Sequence, residues 1–115
     1  MSEDAFHDHE RMDVYRVALE LHVLATKLLN ARCSRVVRDQ LERASLSVVL
    51  NVAEGAGRRA RADKHRFYAI ARGSTTECAA IFDALFARSA LAPSEHENAR
   101  RLTLRLAQML SRLLV

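Results

Sequence analysis

Asn51-Val52-Ala53-Glu54-Gly55-Ala56-Gly57-Arg58-Arg59-Ala60-Arg61-Ala62-Asp63-Lys64-His65-Arg66-Phe67-Tyr68-Ala69-Ile70-Ala71-Arg72-Gly73-Ser74-Thr75-Thr76-Glu77 puts small and polar residues where helix periodicity asks for core. Upstream of it, Val37, Leu41, Ala44 and Val48 recur at alternating steps of four and three, the spacing of one helix face. The next positions of that series are Asn51 and Gly55. Downstream, Phe67, Ala71, Ser74, Cys78, Ile81 and Leu85 repeat the pattern, with Gly73 and Glu77 beside the seam. The spacing predicts two helices meeting through a small, polar patch. Leaving a buried Asn group unsatisfied costs about 1–3 kcal/mol, so Asn51 is expected to be buried and hydrogen-bonded to Ser74, Glu54, Glu77 or a helix carbonyl. Gly73 costs roughly 1 kcal/mol inside a helix, which implies close approach of another backbone.

Working outward, Met1 to Arg11 is polar and without an apolar period, and reads as a mobile or loosely docked arm, residues 1–11. Its His7-Asp8-His9 lacks a second ligand cluster, so no metal is expected there. The domain proper, 12–115, starts with a helix from Asp13, a candidate N-cap, to near Asn30, with Val14, Ala18, Leu21, Ala25 and Leu28 on its seam. Ala31 to Ser34 is a short connection, and the second helix runs from about Arg35 to Glu54. Gly55-Ala56-Gly57 suits a left-handed cap and Asp63 an N-cap, which brackets a turn before a third helix reaching about Ser89. After Leu91 to Pro93, Ser94 and Glu97 have capping-box spacing, and Ala99, Leu102, Leu106, Met109 and Leu113 form the fourth seam. Four amphipathic helices with short connections predict an all-α, up-down-up-down antiparallel four-helix bundle.

Composition agrees. The chain has 115 residues, 50% hydrophobic but only 5% aromatic, with 3 Gly and 1 Pro, which favours helices over sheet in a single small domain. No apolar run approaches the roughly 20 residues that span a bilayer, and the N-terminus is acidic, so neither membrane insertion nor secretion is expected. Cys33 and Cys78 form no recognisable pair or metal spacing, which fits a reduced, cytoplasmic compartment.

Lys plus Arg number 18 against 14 Asp plus Glu, a net charge of +4, and Arg greatly outnumbers Lys. Arg58, Arg59, Arg61, Lys64 and Arg66 crowd the turn between helices two and three, where phosphate contact is the functional reading and solvated surface the bland one. Catalysis finds no support: there is no phosphate loop, no HExxH and no repeated ExxH pair. Glu54 and Glu77 are the carboxylates to examine, and they lack a companion His or nucleophile at fixed spacing. No catalytic residue, metal or cofactor is expected.

Several separated motifs resemble one family. Gln40-Leu41-Glu42-Arg43-Ala44-Ser45-Leu46-Ser47, Asn51-Val52-Ala53-Glu54-Gly55-Ala56-Gly57-Arg58, and Phe67 followed by Ala71-Arg72-Gly73-Ser74 and Glu77 look like the signature of the four-helix-bundle proteins encoded in 23S rRNA intervening sequences. Val14-Tyr15-Arg16-Val17-Ala18 through Leu21 is similar to that family's first helix. Val48-Val49-Leu50 stands where the family usually has a proline, so no kink there follows from the resemblance. Relatives of the fold are basic accessory subunits of retroelement reverse transcriptases and form rings of five bundles. The resemblance therefore implies a homo-oligomer, a pentamer, with RNA or DNA as a partner; the other reading is an oligomeric scaffold for a protein partner. Self-association is also expected from apolar residues on more than one face: Tyr15, Leu24 and Leu29 on the first helix, and Phe82 and Phe86 on the third, for which a place in the core is the equal alternative.

Overall fold

The computed structural model describes residues 5–28 and 33–115. Four helices follow in order: α1 (Asp13–Leu28), α2 (Arg35–Gly57), α3 (Arg61–Ala87) and α4 (Pro93–Leu113). Among the described residues there is no strand, and the fold is all-α. Each helix packs on its chain neighbour, and α1 closes on α4. The 27 residues of α3, about 40 Å of helix, account for most of the 47 Å long axis. Leu29, the Asn30 helix end and residues 31 and 32 of the connection lie outside the described residues.

The seams are filled largely as spacing predicts. Val14, Ala18, Leu21, Ala25 and Leu28 of α1 meet Leu41, Ala44, Val48 and Val52 of α2 and Ala71, Cys78, Phe82 and Leu85 of α3 in one core. On α3 and α4 some expected seam places pass to the next residue: Tyr68, Thr75 and Phe82 are buried in place of Phe67, Ser74 and Ile81, and Thr103 and Leu110 in place of Leu102 and Met109, with the displaced residues and Leu113 half-buried at the edges. A threonine can take a seam place because its hydroxyl bonds its own helix: Thr103 Oγ1 donates to Ala99 O at 2.9 Å, as Thr75 Oγ1 does to Ala71 O at 2.9 Å. Buried Ser45 donates to Glu42 O and lies 2.9 Å from His22 Nδ1, tying α2 to α1. Of the two places open to Phe82, second interface or core, it takes the core, exposed by only 1%. Tyr15 and Leu24 are half-buried against the same core, and Phe86 lies outside it, stacked on His96 at 4.2 Å.

The helix ends differ from the expectations. Gly55, Ala56 and Gly57 are all helical, no glycine has positive φ, and the chain leaves α2 through Arg58 in extended conformation. Ala60, not Asp63, is the N-cap of α3, and Asp63 falls in its first turn, where a carboxylate suits the positive helix end. Asp13 likewise falls inside α1, paired with Arg16. On α4 the capping contact sits two residues early: Glu95 Oε1 accepts from Ala92 N at 2.9 Å, and Pro93 occupies the first turn. At Ser34 the hydroxyl accepts from Val37 N, as an N-cap serine does. The arm is docked locally, with the His9 ring edge-on to Tyr15 at 4.5 Å and Arg11 over Phe6.

α3 ends in a left-handed residue that is not glycine. Ser89 has φ 62, its N–H bonds Phe86 O, and Ala90 N bonds Leu85 O at 2.8 Å, the paired bonds of a Schellman end. An L-residue held in that region costs about 1–2 kcal/mol. Ser89→Gly is therefore expected to stabilise the fold by about 1 kcal/mol, read as a higher urea midpoint at unchanged slope.

Candidate functional site

The α2–α3 turn begins with an absence. A Cβ on Gly55 would lie 2.6 Å from Tyr68 Cε1 and 2.8 Å from Cδ1, so glycine is what lets the Tyr68 ring pack against α2. Tyr68 is 5% exposed, and burial pushes its phenol up from the usual value. The same approach brings Lys64 over the end of α2, where Nζ donates to Gly55 O at 3.2 Å and Ala56 O at 3.0 Å. A cation on those carbonyls satisfies them and opposes the negative helix end. Lys64 thus closes α2, while the arginines around it point elsewhere.

Arg58, Arg59, Arg61 and Arg66 are all exposed. Arg58 pairs with Glu54 at 3.2 Å, and its guanidinium lies 4.8 Å from the Phe67 ring centroid; that of Arg66 lies 4.6 Å from the same ring. One half-buried phenyl ring thereby orders two guanidiniums at modest cost. Arg61 Nη2 donates to Val115 O at 2.9 Å, which brings the end of α4 to this turn. Ala60 supplies no side-chain cap to the start of α3, which therefore lies uncapped beside these arginines in the chain.

The polar motif lies along the outer seam of the same two helices. Asn51 is half-buried, not buried, and Nδ2 donates to Ser47 O at 2.8 Å and Ser47 Oγ at 3.1 Å. Ser47 Oγ lies 2.9 Å from Ser74 Oγ, so Asn51 reaches α3 only through Ser47. Glu77 accepts from Arg43 Nη2 at 2.6 Å one turn further along. Gly73 is exposed and a Cβ there would meet nothing within 4 Å, so no backbone approaches it, contrary to expectation. Cys78 behind this seam is fully buried, and burial with the adjacent Glu77 charge pushes its thiol up to about 12. Among the described residues no group of His, Cys, Asp and Glu could hold a metal, and no helix is long and apolar enough to cross a membrane.

The sequence profile of the 23S rRNA-intervening sequence proteins matches residues 10–112. The chain belongs to that family. It is also similar to the crystal structure of a protein of unknown function from the S23 ribosomal protein family of Bacteroides thetaiotaomicron VPI-5482. The TM-score is 0.81 at 21% identity, over 88% of this chain and 97% of that one, which is likeness of fold. No curated protein matches the chain.

Within this intervening-sequence protein, sequence reasoning missed Phe67 as the ring that orders two arginines and Tyr68 as the partner of Gly55. The available signal was the Phe67-Tyr68 pair placed directly after a run of cations. The two helical glycines should respond oppositely to substitution. Gly55→Ala is expected to destabilise by about 1–3 kcal/mol through overpacking on Tyr68, and Gly73→Ala to stabilise by about 1 kcal/mol; thermal melts of both variants check this. Asn51→Ala, with half-buried and mostly intrahelical bonds to lose, should cost about 0.5–1.5 kcal/mol in the same assay.

Proposed function

We propose that this intervening-sequence protein is a non-enzymatic, cytoplasmic accessory factor that binds RNA or DNA phosphates through the α2–α3 turn. We further propose that it works as a homo-oligomer, a ring of five antiparallel up-down-up-down bundles. The observation that carries the binding reading is the gathering of exposed Arg58, Arg59, Arg61 and Arg66 around the uncapped start of α3. Guanidinium forks and free first-turn amides both favour phosphate oxygens. Such contacts attract backbone charge and carry little base information. Lys64 is a weaker contributor than its neighbours, because its ammonium already holds the α2 carbonyls. The carboxylates of the motif support a structural role over acid–base work: Glu54 and Glu77 are each held by an arginine.

For assembly, the support is apolar surface outside the core. Leu46 and Leu50, 40% and 56% exposed, stand one turn apart on α2, and Ile70, 45% exposed, lies on α3 one turn from Ser74. Small Ser47, Gly73 and Ser74 between them leave a low surface onto which a second copy can close. A ring repeats the basic turn around one face and multiplies weak phosphate contacts. The number five rests on the family resemblance.

Affinity for unrelated single-stranded RNA and DNA oligonucleotides should be similar and should fall steeply with salt. Arg58→Glu/Arg59→Glu/Arg61→Glu should lower it at least about tenfold with unchanged circular dichroism. No binding at low salt would refute the reading. Light scattering should give five times the 12.9 kDa chain mass, and Leu50→Asp/Ile70→Asp should reduce it; a monomer refutes assembly, a dimer or tetramer only the number.

A further inference from the structure

A second cationic surface lies on the opposite pair of helices and is built differently. Between α1 and α4 an open groove of about 520 Å³ runs from Arg16 to Lys27 on one side and from Asn98 to Arg105 on the other. Its floor is apolar: Leu24 and Leu102 are half-buried against the core, and Leu19 and Val23, one turn apart, are 39% and 49% exposed. Its rim is basic, with Arg16, Lys27, Arg101 and Arg105 against the single carboxylate of Glu20. Arg16 pairs with Asp13, but among the described residues no carboxylate lies within ion-pair distance of Lys27, Arg101 or Arg105. Lys27, Arg101 and Arg105 thus border an apolar strip with only the Glu20 carboxylate among the groove's lining residues.

We infer that the α1–α4 groove is a docking site for an acidic amphipathic helix of a protein partner. The length fits: Arg16 to Lys27 covers about 16 Å of α1, three turns of a helix laid alongside. A guest with apolar residues at i, i+3, i+4 and i+7 covers Leu19, Val23, Leu24 and Leu102, and carboxylates on its flanks meet the rim. A nucleic acid would leave the apolar floor uncovered, since its phosphates seek the cations alone. A second copy of this chain carries the same net charge of +4 and brings no surplus of carboxylates to a rim that is already basic. The inference is independent of the basic turn, which lies on α2 and α3.

The test uses the full chain and three fluorescein-labelled peptides in anisotropy titrations. The first carries leucines at i, i+3, i+4 and i+7 with glutamates elsewhere; the second replaces each glutamate by lysine, the third each leucine by serine. The first is expected to bind saturably at one per chain, and the other two at least about tenfold more weakly. Val23→Asp, and separately Arg101→Glu/Arg105→Glu, should each lower affinity for the first peptide about tenfold or more. All three positions are exposed, so circular dichroism should be unchanged, and Arg58→Glu/Arg59→Glu/Arg61→Glu should leave affinity within about twofold. Absence of saturable binding, equal binding of the serine or lysine peptide, or loss only in the turn variant overturns the inference. So does a fall in light-scattering mass with Val23→Asp, which assigns the groove to a second copy, or loss of RNA binding with Arg101→Glu/Arg105→Glu, which assigns it to nucleic acid.

Discussion

The missing side chain at Gly55 is the constraint from which the arrangement of the α2–α3 end follows. With a Cβ there, the Tyr68 ring would collide at 2.6 Å, and α3 would have to start further from α2. Because the ring fits, the first turn of α3 lies close enough for Lys64 to reach two carbonyls in the last turn of α2, one of which, Gly55 O, also accepts from Arg58 N–H. One cation is thereby committed to structure, and it screens a helix end that would otherwise attract the neighbouring guanidiniums inward. Arg58 and Arg66 rest on Phe67 instead, and Arg59 faces solvent. Close packing at one glycine and an outward array of arginines are therefore the same local arrangement seen from two sides.

The polar residues of α2 and α3, with Thr103 of α4, divide into two groups with different duties. Those inside the core, Ser45, Thr75 and Thr103, have hydroxyls that bond carbonyls three or four residues back. They cost little because each donor is satisfied within its own helix, and no buried side-chain polar atom among the described residues lacks a partner. The outer group, Ser47, Asn51, Ser74, Arg43 and Glu77, joins the two helices across their surface seam. These bonds are half-exposed and individually modest. Their effect is register: a serine opposite a serine and an arginine opposite a glutamate one turn away fix how α2 and α3 slide along each other.

The charged surface is likewise divided. At the α2–α3 turn guanidiniums surround helix amides and aromatic ring, an arrangement matched to oxyanions. Along the α1–α4 groove the cations border leucine and valine, an arrangement that an oxyanion alone leaves half unused. A net charge of +4 says nothing of this division; only the separation of the two surfaces onto different helix pairs allows them to act independently.

Much of the fold was legible in the chain. Alternating steps of four and three located all four helices and most of the core, since burial of a single face imposes that period whatever the neighbours are. The motifs of Gln40 to Glu77 and the helix-one match likewise pointed to the family to which residues 10–112 belong. Periodicity could not tell that Gly55 is held by a ring and Gly73 by nothing, because both glycines sit in helices and their difference lies wholly on the adjacent element. Nor could it tell that Phe82 turns inward while Asn51 stays at the rim, because one helical position shifts a side chain by a third of a turn, and which direction is core depends on two neighbouring helices at once. The commitment of Lys64 to the end of α2 was decided by tertiary structure for the same reason: its partners lie on α2, and only the approach of α3 to Gly55 puts them within reach.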